Sequence, residues 1–437
     1  MPSTGHPSFA RRLLIAALLM SCIVAVTSRG ETPAPLSREA VTGHIRTGIA
    51  RLNDTYWSPT LGIWLDRPGD DVRGHYEGRR NPPWWPSANA VEMLIDFMGA
   101  TGSSEYEAAI ASLYELQKDP RTRRARMVAE LQRRKQWSEA DEKAWQRELQ
   151  KAAEAPAPRT GYYSDFQNEY LDDSGWWGIA WLKMYDRTKA AKYLTTAKTI
   201  HAHMAGNWKP EKGGGVVWCE DADKQRPNAI TNSLFLILSS RLYAMTREPE
   251  YLGWAEKTLE WFNARSLYDG TAIVDAPGHR GDYWSYNQGT FIAGLTALYQ
   301  ATGRTEYLDQ AVKIADSVLH RSGLVLPTGV FVEKLGTGGD ARLFKGICVR
   351  GFAQLSDVLR AQKVHADTAA EIDRCIRSSV ESLLQHSVAA DGLFGAEWHP
   401  EARDRSANFN TQVSALAALV SMAGEGGRGL KDGAPHR

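Results

Sequence analysis

Two aspartates stand side by side in the stretch Phe166-Gln167-Asn168-Glu169-Tyr170-Leu171-Asp172-Asp173-Ser174-Gly175-Trp176-Trp177. Adjacent carboxylates at a helix start can be no more than a cap and a first-turn acid. Here Trp176 and Trp177 follow at once and give the pair surroundings suited to a sugar ring. Two carboxyls about 5 Å apart are what a retaining glycosidase uses, one as nucleophile and one as acid/base. Mutual repulsion raises one pKa, so one group is charged while the other carries a proton. Residue types alone leave open which does which.

Comparable segments recur along the chain. The first is Asn81-Pro82-Pro83-Trp84-Trp85-Pro86-Ser87-Ala88-Asn89, and Gly213-Gly214-Gly215-Val216-Val217-Trp218 precedes Asn228-Ala229-Ile230-Thr231-Asn232. Asp282-Tyr283-Trp284-Ser285-Tyr286-Asn287-Gln288 comes next, then Phe344-Lys345 with Arg350, then Trp398 followed by Asn408, Asn410 and Gln412. Seven of the 15 tryptophans (84, 85, 176, 177, 218, 284 and 398) fall in or near these segments. Any one of them could fill core, but flat indole faces also stack on pyranose rings while Asn, Gln and Tyr bind hydroxyls. The set therefore suggests a glycan groove. Its candidate ligands are Trp84, Trp85, Asn89, Asn168, Trp176, Trp177, Trp218, Asn228, Asn232, Tyr286, Asn287, Gln288, Lys345 and Arg350.

A repeat supplies the elements that must position them. Tyr193-Leu194, Tyr251-Leu252 and Tyr307-Leu308 recur at intervals of 58 and 56 residues, each opening an amphipathic helical stretch. Each is preceded by a more apolar stretch rich in small residues, and the alternation extends both ways to six stretches of each kind. A helix apolar nearly all round must be enclosed, whereas an amphipathic one shows a face to water. Six hairpins, each too small to bury its own face, close into a ring with the apolar helices inside. The expected fold is all-α, an (α/α)6 toroid over residues 36–425. The N-termini of its inner helices gather at one mouth, where free amides and dipoles favour developing negative charge. Residues 119–159 interrupt the period; seven basic residues and one acidic lie between Arg121 and Lys135. A solvated helical insertion is expected there, with binding to an acidic surface as the sharper alternative.

Other chemistries fit less well. Lys+Arg 52 against Asp+Glu 51 leaves no basic excess for a nucleic acid. His201 and His203 lie on an amphipathic helix where their side chains diverge, and no partner stands at zinc-ligand spacing. The triple glycine lacks the Lys-Ser/Thr of a phosphate loop and is expected to let a loop approach the groove closely. No Gly-x-Ser-x-Gly elbow is present. No cofactor and no metal are expected.

In this order the motifs resemble glycoside hydrolase family 76, the α-1,6-mannanases. The matching pieces are Tyr170-Leu171-Asp172-Asp173 with Trp176-Trp177, Gly213 to Trp218, Asn228 to Asn232, Tyr286-Asn287-Gln288-Gly289-Thr290, and Phe344-Lys345-Gly346 with Arg350. The resemblance covers about residues 45–425 and implies an endo-acting, retaining hydrolase of α-1,6-mannosidic linkages that needs no metal. It makes Asp172 the nucleophile and Asp173 the general acid/base, with a mannan-type polysaccharide or oligosaccharide as partner and a monomer as the acting form. The insertion at 119–159 departs from the short connection such an enzyme has there. The alternatives are a non-catalytic glycan-binding surface lipoprotein, or a glycosidase or transglycosylase of this fold acting on another α-linked glycan.

The N-terminus carries an address. Arg11 and Arg12 precede the apolar run Leu13 to Val26, too short to span a bilayer and suited to a secretory signal over residues 1–28. Leu19-Met20-Ser21-Cys22 inside it resembles a lipobox, which would attach the protein to a membrane through a lipid on Cys22. A secreted or periplasmic protein is expected, or a cell-surface lipoprotein. Removing residues 1–28, with two Arg and no acid, takes the net charge from +1 to −1. Cys219, Cys348 and Cys375 remain, allowing one disulfide at most.

Overall fold

The computed structural model describes residues 36–69, 71–78, 82–154 and 164–424, so the signal segment, Cys22 and Asn81 lie outside the described residues. Among the described residues fifteen α-helices follow in order: α1 Arg38–Tyr56, α2 Val72–Tyr76, α3 Trp84–Thr101, α4 Glu107–Gln117, α5 Pro120–Arg133, α6 Glu139–Glu154, α7 Leu171–Thr188, α8 Ala191–Gly206, α9 Ala229–Thr246, α10 Pro249–Ala264, α11 Ser285–Thr302, α12 Thr305–Arg321, α13 Ala341–Gln362, α14 Ala366–His386 and α15 Phe409–Ala423. A two-residue hairpin pairs β1 (Trp57–Ser58) with β2 (Ile63–Trp64).

The apolar stretches are the inner helices α3, α7, α9, α11, α13 and α15. Each packs against the next, and α15 closes the circle on α3. The amphipathic stretches α1, α4, α8, α10, α12 and α14 form the outer layer. The repeated tyrosines anchor it: Tyr193 stacks on Trp181 of α7 with ring centroids 5.5 Å apart, and Tyr251 and Tyr307 are buried at the same position of their helices. The inner helices pack close because glycine sits at their crossings. A Cβ on Gly289 of α11 would stand 2.5 Å from the Cα of Cys348 on α13. Helices α1 and α15 interlock, since the Arg38 guanidinium donates to the Ala423 carbonyl at 2.9 Å and Gln412 Nε2 donates to the Gly48 carbonyl at 2.9 Å. The three described cysteines are buried free thiols.

The insertion contains two helices, α5 and α6, and is not merely solvated. Val128 and Leu131 form a small second core with Val72 and Tyr76 of α2, joined by Trp137 and Trp145. Its basic side chains are largely spent nearby. Arg124 pairs with Glu148 and lies over the Tyr76 ring, Arg133 and Arg134 pair with Glu130, and buried Arg123 lies over Trp84 at 4.9 Å. The hairpin thus braces the segment that leads into α3.

Candidate active site

All six inner helices bring their first turns to one mouth of the ring. There a cleft of about 670 Å³ is lined by Trp85, Asp172, Asp173, Trp176, Trp218, Asn228, Trp284, Tyr286 and Asp340, among others. A second lobe of about 340 Å³ adds Asp66, Pro82 to Pro86, Asn408 and Asn410, and shares Trp85, Asp173 and Asp340 with the first. A larger hollow of about 1280 Å³ opens at the opposite mouth. In it Lys183 pairs with Glu92 and Asp96, and Arg187 pairs with Glu107. The N-terminal mouth, with the helix dipoles, is the candidate site.

Asp172 and Asp173 occupy the first turn of α7 and face the cleft. Asp172 has a donor on each oxygen: its Oδ1 accepts the Asp173 amide at 3.0 Å and its Oδ2 accepts the Trp218 indole N–H at 3.0 Å. Asp173 Oδ2 accepts Asn168 Nδ2 at 2.7 Å. The orientation of that amide is fixed, because Asn168 Oδ1 accepts the Tyr170 backbone N–H at 3.1 Å. Burial is the main cause that lifts both carboxyls, Asp172 to about 7 and Asp173 well above its ordinary value, the latter pushed further by the neighbouring Asp172 charge. The better-solvated anion is thus Asp172 and the better proton holder is Asp173. Such a pair shares one proton over the neutral range.

Aromatic faces surround the pair. Trp85 and Trp176 stack with centroids 6.0 Å apart, Tyr286 lies flat on Phe344 at 3.8 Å, and Tyr170 packs against Trp218 at 5.1 Å. Burial raises the Tyr286 hydroxyl well above its usual range, so it remains a donor.

Of the candidate ligands, Trp85, Trp176, Trp218, Asn228 and Tyr286 line the main cleft. Trp84 borders the second lobe but is buried between Phe166 and Trp177. Asn168 acts on Asp173 rather than on the cleft. The remaining candidates do not line the cleft. Asn89 accepts from Arg350 at 2.7 Å, and Arg350 pairs with Glu92 at 2.9 Å. Arg350 lies about 13 Å down the helix axis from Ala341, too deep for the mouth. Trp177 stacks on Trp181 in the core, turned away from Trp176 by about 100° around α7. Asn232 donates to the Val216 carbonyl at 2.9 Å and accepts the Val216 amide at 2.8 Å, Gln288 does the same for Ile273, and Asn287 donates to Asp275. Lys345 is buried with its Nζ on the Ala396 carbonyl at 2.6 Å. These side chains hold the mouth loops in place from behind. The triple glycine, all at positive φ, packs against Trp208, Trp261 and Arg265 of the outer layer, not against the groove.

Three acceptors of the cleft were not singled out from sequence: Asp275, Asp340 and the Tyr170 hydroxyl. Asp340 had the one usable signal, a carboxylate just ahead of an inner helix. His201 is buried against Ser239 and His203 meets Glu220, so the two histidines diverge. Among the described residues no group of His, Cys, Asp and Glu has the arrangement of a metal site. No described helix is long and apolar enough to cross a membrane.

The family model for glycosyl hydrolase family 76 matches residues 136–427. The mannan endo-1,6-alpha-mannosidase DCW1 of Candida albicans is 29% identical over 278 residues, 57% of this chain and 61% of that protein. Its namesake from Saccharomyces cerevisiae is 26% identical over 299 residues, 60% of this chain and 65% of that protein. The matched part thus spans less than two thirds of the length of these curated relatives. Among solved structures, an α-1,6-mannanase of Salegentibacter sp. HEL1_6 superposes with a TM-score of 0.68 at 24% identity, over 88% of this chain and 98% of that one. That structure is an inactive variant with two consecutive aspartates replaced by alanine, in complex with alpha-1,6-mannotetrose. Dfg5 from Chaetomium thermophilum, in complex with glucosamine, gives a TM-score of 0.63 at 18% identity, over 91% of this chain and 92% of that one. At these identities the likeness fixes the (α/α)6 fold.

Proposed function

The chain belongs to glycosyl hydrolase family 76, and we propose that it is an endo-acting, retaining hydrolase of α-1,6-mannosidic linkages in mannan-type glycans. The observation that carries this reading is the Asp172–Asp173 pair, with unequal donors, at the centre of an aromatic cleft. The kinship with mannan endo-1,6-alpha-mannosidases supports the substrate. So does the mannotetrose bound in the structural neighbour with two altered aspartates.

In the proposed reaction Asp172 attacks the anomeric carbon while Asp173 gives its proton to the departing glycosidic oxygen. The result is a mannosyl ester on Asp172 and a shortened chain with a free hydroxyl. Asp173, now ionised, takes a proton from water as that water attacks the anomeric carbon, which breaks the ester bond, releases the cut mannooligosaccharide with retained configuration and restores both side chains. Trp218 and the Asp173 amide keep the Asp172 oxygens oriented for attack. The stacked indoles of Trp85 and Trp176 offer apolar faces to the sugars and exclude water. A binding protein would have no use for two crowded carboxylates raised by burial. We also read the protein as exported, on the strength of Arg11, Arg12 and the apolar run after them.

The test is incubation with debranched linear α-1,6-mannan, wild type beside Asp172→Asn. Short mannooligosaccharides from the wild type alone are expected. No products from the wild type, with binding retained, would overturn the hydrolase in favour of a glycan-binding protein.

A further inference from the structure

We infer that Asp340 is a substrate-binding residue whose carboxylate accepts hydrogen bonds from hydroxyls of the sugar lying across the junction of the two lobes, beside the bond to be cut. This rests on the reading of the cleft as a glycan groove. Among the described residues only Trp85, Asp173 and Asp340 border both lobes, so a chain threading from one to the other passes between them.

Asp340 stands at the N-cap position of α13, yet its side chain caps nothing. The equivalent residues of α9 and α15, Asn228 and Asn408, spend theirs on the amides of Thr231 and Thr411. Its charge is also unspent, since among the described residues it forms no ion pair and its polar neighbour is the Trp85 indole. The other cleft carboxylates are occupied: Asp172 by Trp218 and the Asp173 amide, Asp173 by Asn168, and Asp275 by Asn287. A carboxylate has about four acceptor sites, and an indole fills one. Two vicinal hydroxyls suit what remains, because hydrogen bonds to a charged acceptor are short and strong. Lodged between Trp85 and Asp173, that grip would fix the sugar at the acid that protonates its linkage. The same charge raises both members of the Asp pair, which gives the residue a second, measurable signature.

Calorimetric titration with α-1,6-mannotetraose in the inactive Asp172→Asn background tests this directly. Adding Asp340→Ala is expected to weaken Kd on the order of ten- to a hundredfold, and Asp340→Asn, which keeps one acceptor oxygen, by less. In the otherwise wild-type enzyme, Asp340→Asn should move both limbs of the pH–rate profile to lower pH, a change that a packing role would not produce. An unchanged Kd in Asp172→Asn/Asp340→Ala overturns the assignment while leaving the hydrolase reading intact. Failure of the Asp172→Asn parent to bind mannotetraose at all overturns the glycan groove and the role of Asp340 with it.

Discussion

The Trp218 indole N–H donates to Asp172 Oδ2 at 3.0 Å, joining the loop after the triple glycine to the first turn of α7. It is one of the donors that favour the ionised form of a carboxylate otherwise lifted by burial. Trp218→Phe keeps the aromatic contact with Tyr170 and removes the donor. A hydrogen bond to a charged group contributes about 1.5–3 kcal/mol, so kcat on linear α-1,6-mannan should fall roughly ten- to a hundredfold. The acidic limb of the rate profile should also rise, because the ionised form has lost a partner. A profile that does not move would show that the indole serves packing only.

The pH dependence follows from the pair. Turnover needs Asp172 ionised and Asp173 protonated, so the rate falls below the first macroscopic pKa for want of a nucleophile and above the second for want of an acid. Both limbs should stand above the usual carboxylate range, with the acidic one near neutrality, since Asp172 is raised to about 7 and Asp173 further still. Asp173→Asn should flatten the alkaline limb on activated aryl mannosides, which leave without protonation, and abolish hydrolysis of mannan. Equal losses on both substrates would remove Asp173 from the acid role.

Raised carboxyls also leave a mark on stability. A folded-state pKa above the ordinary 3.8 means that the protonated form is favoured by folding, and that advantage is lost as pH climbs from about 4 through about 7. Asp172→Asn removes the buried charge and should stabilise the fold by about 1–3 kcal/mol at pH 7.5, with little effect at pH 4. Urea unfolding at the two pH values checks this, and an equal change at both would refute the link to ionisation.

The ring itself has a sharp steric test. Gly289→Ala would place a methyl 2.5 Å from the Cys348 Cα and 2.8 Å from its carbonyl oxygen, atoms that cannot move without shifting α13 against α11. Overpacking of this kind costs about 1–3 kcal/mol or more. The thermal midpoint should drop by roughly 1–4 °C, and an unchanged midpoint would show that the two helices are freer than their spacing implies.

The ring was legible because its logic is local. Apolar and amphipathic stretches alternate with a steady period, and tyrosines such as Tyr193 and Tyr251 mark each outer helix. The Asp172–Asp173 pair was equally plain, as was the gathering of indoles at the mouth. Which indole serves which end was not, since Trp176 and Trp177 are neighbours in sequence and about 100° apart around the helix. Asn232, Gln288 and Lys345 have the chemistry of sugar ligands and the positions of loop clamps, and only three-dimensional pairing tells these apart. Likewise the small core of Val128 and Leu131 draws on Val72 and Tyr76, more than 50 residues upstream and in no repeat. Asp340 was missed because a lone carboxylate before a helix reads as a cap.

The interlock between α1 and α15 has a consequence in time. Of the described helices α15 is synthesised last, and it is the partner of α1 through Arg38, Gly48, Gln412 and Ala423. Until it arrives, α1 and α3 each present an apolar face with nothing to cover it, and the circle stays an open arc. Contacts spanning nearly the whole chain close slowly, so the nascent protein passes through a long window in which sticky surface is on show. Closure of the ring therefore waits for the fifteen residues of α15, and the unfinished arc is the species that chaperones would meet.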